Sequence, residues 1–394
     1  MEQQNLAGPR YDRGDFLIRD DWAMLNNGSF GACPEPVFAE YQRWQRVMET
    51  HPADIMMRET EHLQAAREPL AAYLGTGADR LAFVANATLG VNFAVRAVMG
   101  ALAPGDEVLA SSQEYPACNN AWRHHCQRAG VSYVEQSLTL PVASADELVE
   151  ALFAGVGPRT RVLFISHIAA PTALTLPVAQ ICRRAREAGL ITVVDGAHVP
   201  GQRSLALDQV GADFYTGNCH KWMCAPKGTA FLYASPVAER LLQPLVISHG
   251  WSQLARSERP LQDYVERLGT RDLSPFLAVP AAIDYMASHD WPQVRARCHR
   301  MLVATKRAIE QDLADGAGVE PLCPETEEWF AQMAAIRLPA GADVAAFGRL
   351  LEEARVEMPF WTVGDMRIAR LCVQSYTNQS ELDLLVELAA RAFG

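Results

Sequence analysis

The chain has 394 residues, a net charge of −11 at pH 7, 49% hydrophobic and 21% charged residues. That is enough for one large core with a smaller unit beside it, in the composition range of an ordinary globular protein. The acidic balance, with no basic stripe interleaved with aromatics, argues against a nucleic-acid partner; no run reaches the ~18 apolar residues of a membrane span, and polar Met1–Asp21 has no apolar signal core. Nine scattered cysteines, without a Cys-x-x-Cys pair, suit a reducing compartment and offer no metal site. The expectation is a cytoplasmic protein with no membrane partner and no metal. From Leu81 to Tyr233, short β-rich runs alternate with amphipathic helical patterns. In chain order these are a strand at Leu81–Ala85, a helix near Leu89–Met99, and a strand at Glu107–Ala110. Next come a strand at Arg161–Ser166, a helix at Val178–Ala188 closed by Gly189, a strand at Leu190–Val194 and a further strand near Asp213–Thr216. Beyond Pro275 the pattern turns to long helices (Leu277–Met286, Val294–Leu313), then a strand at Met333–Leu338 and helices at Val344–Ala354 and Glu381–Phe393. The alternating half predicts a parallel sheet with covered faces, an α/β fold. The organisation expected is an N-terminal segment 1–25, a large domain 26–274 and a small C-terminal domain 275–394.

In such a sheet, ligands collect at the carboxyl ends of the strands. Reactive residues just beyond strands are therefore the candidates. Only three residues are lysine, Lys221, Lys227 and Lys306, among 35 basic residues. An ammonium can lose its proton near neutral pH and attack a carbonyl, which a guanidinium cannot. Lys221, in Asn218-Cys219-His220-Lys221-Trp222, follows a strand. Asp195 closes the apolar run Ile191–Val194, and a buried carboxylate there needs a cationic or hydrogen-bonding partner. Taken alone, Asp195 equally suits a helix cap or turn. Asn86-Ala87-Thr88 precedes a helix, whose entry can hold an anion or can simply be capped. Tyr115, in Glu114-Tyr115-Pro116-Ala117, has a ring fit for stacking on a flat cofactor or for core packing. Arg367 and Arg370 lie on one strand-like run. They are three residues apart and point to opposite faces, so only one can look into a cleft and clamp a carboxylate. No Gly-x-Gly-x-x-Gly run follows a strand, which removes the main support for dinucleotide binding. A lysine, a buried aspartate, a phosphate-ready helix entry, a stacking ring and an arginine clamp are together the parts of a pyridoxal phosphate enzyme.

The chain resembles the fold-type I pyridoxal phosphate enzymes of the class V aminotransferase and cysteine desulfurase group, in its isopenicillin N epimerase-like branch. The resemblance rests on ordered runs: Leu25–Gly31, Glu114–Ala117, Val194–His198, His220–Trp222, Ser248–Trp251 and Gly269–Asp272. It implies a large domain with a mainly parallel seven-stranded sheet, a smaller α+β domain, an amino-acid substrate and a homodimer with active sites at the interface. It further implies that Lys221 bonds covalently to pyridoxal 5'-phosphate and moves the Cα proton, that Asp195 pairs with the ring nitrogen, and that Tyr115 stacks on the ring. His198 would meet the phenolic oxygen. Ala87, Thr88 and His220 would hold the phosphate, joined by Thr270 of the neighbouring subunit. Asn27, Gly28, Ser29 and Arg370 would contact substrate. Lys227 and Lys306 match no family run and are assigned to the surface.

Three departures stand out. Ala170 occupies a position where the family often has Ser or Asn. Cys118 stands where it usually has asparagine. No cysteine falls between Pro324 and Arg370, so persulfide transfer by a loop cysteine is not expected. Removal of the Cα proton leads to β-elimination of a sulfur substituent, the preferred expectation, or to epimerisation. Epimerisation needs a second proton donor, with Tyr115, His249 or a water as candidates. Decarboxylation, oxidative deamination and transamination are the further alternatives.

Overall fold

The structure is a computed structural model and describes residues 13–249, 251, 259–317 and 319–393. Residues 1–12 of the N-terminal segment, Gly250 of the Ser248–Trp251 run, and Gly394 lie outside the described residues. The strands are β1 (Ala23–Met24), β2 (Leu81–Val84), β3 (Glu107–Ser111), β4 (Ser132–Gln136), β5 (Thr160–Ser166) and β6 (Ile191–Asp195). They continue with β7 (Phe214–Asn218), β8 (Ala230–Ala234), β9 (Met333–Arg337), β10 (Val356–Glu357), β11 (Phe360–Val363) and β12 (Met366–Cys372).

Seven strands form one sheet in the order β2-β8-β7-β6-β5-β3-β4. Neighbours from β7 across to β4 run parallel, while β8 is antiparallel to both β2 and β7. This is the mainly parallel seven-stranded sheet implied by the resemblance. Its central strands are apolar on both sides because both faces are covered. Leu109, Leu163, Ile165, Val194 and Tyr215 pack into one core layer. Their neighbours Val108, Val162, Phe164, Val193 and Phe214 pack into the other with Trp122. The helix Ala87–Met99 lies close on this second face. A methyl group at Gly90 would fall 2.2 Å from Thr216 Oγ1, so the helix–strand approach there needs glycine.

The expected elements are present, with boundaries moved by local chemistry. The helix expected from Leu89 begins at Ala87, because the Asn86 side chain caps the Leu89 N–H at 2.9 Å. The strand expected at Asp213–Thr216 runs to Asn218. The single helix expected at Leu277–Met286 is two, Ser274–Leu277 and Val279–Ser288, the second having a proline in its first turn. Pro280 lacks the N–H that a continuous helix would use. The helix Trp291–Ala317 is longer than expected at both ends. One lysine assignment is corrected here. Lys306 is 3% exposed and its ammonium bonds Glu310 at 2.6 Å and Glu325 at 3.2 Å. Its helix turns that face inward, and the i,i+4 glutamate makes the burial tolerable. Lys227 is exposed, as expected.

A three-stranded antiparallel sheet, β11-β12-β9, stands apart from the large one. The amino-terminal stretch is tied to this region: β1 pairs in parallel with β10, and the Cys372 N–H bonds the Leu25 carbonyl at 3.0 Å. The chain then turns at Gly31 (φ +69°), where a Cβ would sit 1.9 Å from the His220 carbonyl oxygen. Residues 29–31 are thereby pressed against the backbone that carries Lys221.

A buried ion pair fastens the helix Glu59–Leu74 to the segment after the helix Pro260–Val265. Arg67 Nη2 lies 2.7 Å from Glu266 Oε2, and Glu266 also accepts the Phe83 N–H at 2.8 Å. Arg67→Met would strand a buried carboxylate and should cost about 3–5 kcal/mol in denaturant unfolding, whereas Arg67→Met with Glu266→Leu should cost much less.

Candidate active site

Five parallel strands and the residues just beyond them make the walls of one cavity of about 280 Å³. Asn86, Ala87 and Thr88 follow β2, and Tyr115 stands beyond β3. Ser166 ends β5, with Ile168 and Ala170 beyond it. Asp195 ends β6, with His198 beyond it. Asn218 ends β7, with His220 and Lys221 beyond it. Ser29 and Phe30 of the amino-terminal stretch close another side. The parallel sheet therefore gathers into one space residues spread over nearly two hundred positions.

Asp195 is 4% exposed and burial raises the proton affinity of its carboxyl. Its Oδ1 accepts the Ala197 N–H at 2.9 Å and its Oδ2 accepts the Cys118 thiol at 3.4 Å. Neither partner is a cation, so this buried acceptor is under-compensated. Cys118, at the site of a family asparagine, offers only a weak S–H donor, and burial keeps it a thiol.

Lys221 Nζ lies 3.4 Å from His198 Nε2. Burial, with Arg370 nearby, lowers its ammonium pKa to about 8. This leaves a useful fraction of free amine near neutrality. Trp222 Nε1–H donates to His198 Nδ1 at 3.4 Å, which assigns the His198 proton to Nε2. Burial holds that imidazole neutral. His220 donates from Nδ1 to the Thr229 carbonyl at 2.8 Å, and burial lowers its pKa to about 4. Its Nε2 is therefore an acceptor unless an anion brings a proton with it.

At the helix entry, the Asn218 side chain accepts the Ala87 N–H at 2.8 Å and Asn86 caps Leu89, which sets Thr88 in the first turn facing the cavity. Tyr115 is 39% exposed at the cavity edge. Arg370 is 1% exposed and does not line this cavity. Its Nη1 donates to the Ala170 carbonyl at 2.6 Å and its Nη2 to Ser29 Oγ at 3.1 Å. Among the described residues the Arg370 Nε has no partner, and neither does the side-chain nitrogen of buried Asn27. Asn27 accepts the Tyr376 hydroxyl at 3.1 Å. A Cβ at Gly28 would lie 2.8 Å from Met333 Sδ and 3.2 Å from Cys372 Sγ, so glycine there lets the amino-terminal stretch pack closely against β9 and β12. Arg367, on the other face of β12, is exposed and bonds the Ala342 carbonyl.

Thr270 is exposed on the loop after the helix Pro260–Val265 and does not line its own chain's cavity. His249 is exposed as well. Sequence reasoning missed Ser166 and Asn218. The criterion that singled out Asp195, a polar residue ending an apolar strand, would have selected both. No group of His, Cys, Asp or Glu among the described residues could hold a metal ion, and no described helix is long and apolar enough to cross a membrane.

Residues 35–359 match the family model Aminotransferase class-V. The chain is 37% identical to an isopenicillin N epimerase of Amycolatopsis lactamdurans, over 92% of this chain and 93% of that one. It is 30% identical to a putative L-cysteine desulfhydrase of Oryza sativa subsp. japonica, over 89% and 76%. A solved structure of a C-DES mutant with glycine covalently linked to the PLP cofactor superposes with a TM-score of 0.81 at 19% identity, covering 97% of this chain and all of that one. The fold is that of the fold-type I pyridoxal phosphate enzymes, and the cofactor is pyridoxal 5'-phosphate. The residues present fit it: a buried carboxylate lacking a cation, a buried amine of lowered pKa and a helix entry facing one space.

Were Lys221 to bond the cofactor covalently, its free amine would be the reactive form. The rate of cofactor uptake, read as growth of visible absorbance, should plateau above about pH 8 and fall about tenfold for each unit below it. Lys221→Arg should give no such absorbance at any pH.

Proposed function

The chain belongs to the class V aminotransferase family, and we propose that this pyridoxal phosphate enzyme removes the Cα proton of a small amino acid and expels a sulfur substituent from Cβ, as a C–S lyase. When bound, the cofactor supplies an electron sink conjugated to Cα. In this reading the unit 26–274 holds the cofactor and the unit 275–394 supplies Arg370. Asp195 faces the ring nitrogen, and its buried charge favours the protonated ring. Tyr115 covers the ring, and His198 meets the phenolic oxygen. Ala87, Thr88 and His220 hold the phosphate, with Thr270 of a second copy completing that end in a homodimer. The guanidinium of Arg370, backed by Ser29, Gly28 and Asn27, takes the substrate carboxylate, a match for its orphaned Nε. Lys221 would carry the Cα proton. The site implies a free amino acid as substrate, and cytoplasmic residence fits it.

One observation carries the choice of elimination. Lys221 can give up its proton near neutrality, while His198 and His220 are kept neutral by burial. A site with a single poised base removes a proton and lets a leaving group depart. An epimerase must also deliver a proton from the opposite side. The 37% identity to an isopenicillin N epimerase favours a second reading. In it, Tyr115 at the cavity edge is that donor.

Incubation with S-alkyl cysteines and with an L-amino acid bearing no leaving group, in deuterated water, separates the two. The lyase releases pyruvate, ammonia and thiol from the first substrate. Deuterium at Cα with inversion and no pyruvate would establish the epimerase instead, and Tyr115→Phe should then abolish inversion. Lys221→Ala should lower turnover by about 10²–10⁴-fold. Arg370→Met should raise KM by about tenfold to a hundredfold, the loss of one charge-assisted hydrogen-bonded contact.

A further inference from the structure

Beside Asp195 lies a second buried carboxyl for which the reaction has no use. Glu114 is 4% exposed. It accepts the Ser111 hydroxyl on Oε1 and the Ser166 hydroxyl on Oε2 at 2.6 Å. Ser166 and Asp195 are register partners on neighbouring parallel strands, so their side chains share one face of the sheet. Ser166 lines the cofactor cavity; Glu114 does not.

Several groups face Glu114. Ser111 comes from β3, Tyr133 from β4 and Ser166 from β5. Asp195 comes from β6 and Cys118 from the helix Pro116–Ala129. The charge of Asp195 repels that of Glu114. Two carboxyls in one dry site cannot both ionise cheaply. Lys221 draws Asp195 toward ionisation, and the ring nitrogen of a bound cofactor would add to that pull. Burial, reinforced by Asp195, raises the Glu114 pKa to about 7.

The proton on Glu114 has a defined destination. Ser111 Oγ already accepts the Gln113 N–H at 3.2 Å while donating to Oε1. Ser166 Oγ donates to Oε2 and accepts from no residue in the described network. A protonated Oε2 would therefore donate to Ser166 Oγ, releasing the Ser166 proton toward the cavity. With Glu114 ionised, the Ser166 proton is held by Oε2 and only lone pairs face the cavity.

We propose that Glu114 is a positioning residue that keeps one proton beside ionised Asp195 and, through Ser166, sets whether the cavity offers the cofactor's ring a hydrogen-bond donor or an acceptor. This rests on the assignment of the cavity to the cofactor. It concerns a residue that touches neither cofactor nor substrate.

The test combines two readouts on the full chain. Glu114→Gln is isosteric with the protonated acid and should lock that state, and Ser166→Ala removes the relay. In the cofactor-free protein, infrared spectra should show a buried carboxylic-acid C=O band that disappears with a midpoint near pH 7 in wild type and at higher pH in Ser166→Ala, which loses a donor that favours the carboxylate, and is missing from Glu114→Gln. In the loaded protein, the visible spectrum of wild type should shift across that same range. Glu114→Gln should keep the low-pH spectrum throughout, and Ser166→Ala should lose the shift. A titrating band that survives in Glu114→Gln, no such band in wild type, or an unchanged spectral shift in Ser166→Ala would overturn the proposal. Should Glu114→Gln fail to fold, wild type and Ser166→Ala still decide it. A wild-type chain that takes up no cofactor sinks the cavity assignment and the relay with it, and leaves the infrared band to decide Glu114's proton separately.

Discussion

The site depends on charge that is buried without being neutralised. Lys221, Asp195 and Arg370 are all withdrawn from water. Each keeps hydrogen bonds but has no close ion-pair partner among the described residues; Arg370 is met by a carbonyl and a hydroxyl, Asp195 by an amide and a thiol. Elsewhere the chain handles buried charge differently. Arg67 and Glu266 neutralise each other, and Lys306 has Glu310 and Glu325. Where the purpose is structural, charges are paired; in the cavity they are held apart. Leaving a charged group so exposed to low dielectric costs several kcal/mol, which in the proposed reading cofactor and substrate would recover on binding.

The large sheet keeps those charges from collapsing onto one another. Asp195 ends β6 and Lys221 follows β7, so the spacing between parallel strands separates carboxylate from amine. Arg370 comes from the other, antiparallel sheet, on β12, and looks inward because its neighbour three positions back looks outward. The amino-terminal stretch joins the two, bonded to β12 at Leu25 and pressed at Gly31 against the backbone of Lys221. Substitution at Gly31 would act on the cavity through backbone geometry with no change in its chemistry.

Much of this was legible in the residues. Apolar runs such as Val162–Ile165 mark buried parallel strands, and a polar residue at the end of a run marks the cavity, which is how Asp195 stands out. Strand alternation separates Arg370 from Arg367. Other features are invisible to such reasoning because they join distant positions. Glu114 and Ser166 are 52 residues apart and meet only once β3 and β5 pair. The burial of Lys306 depends on which face of a 27-residue helix turns inward, and the break before Val279 is set by one proline inside an otherwise helical pattern. The role proposed for Thr270 is the one that depends on a second copy of the chain.

The central claim, that the cavity holds an uncompensated carboxylate for the sake of its cofactor, is tested most directly by the stability of Asp195→Asn. Asparagine keeps the shape and the acceptor for the Ala197 N–H while removing the charge. The cofactor-free variant should unfold at higher denaturant concentration than the cofactor-free wild type, by about 1–3 kcal/mol, and should gain less stability from added pyridoxal phosphate. A cofactor-free Asp195→Asn protein less stable than wild type, or one stabilised by the cofactor just as strongly, would contradict the account.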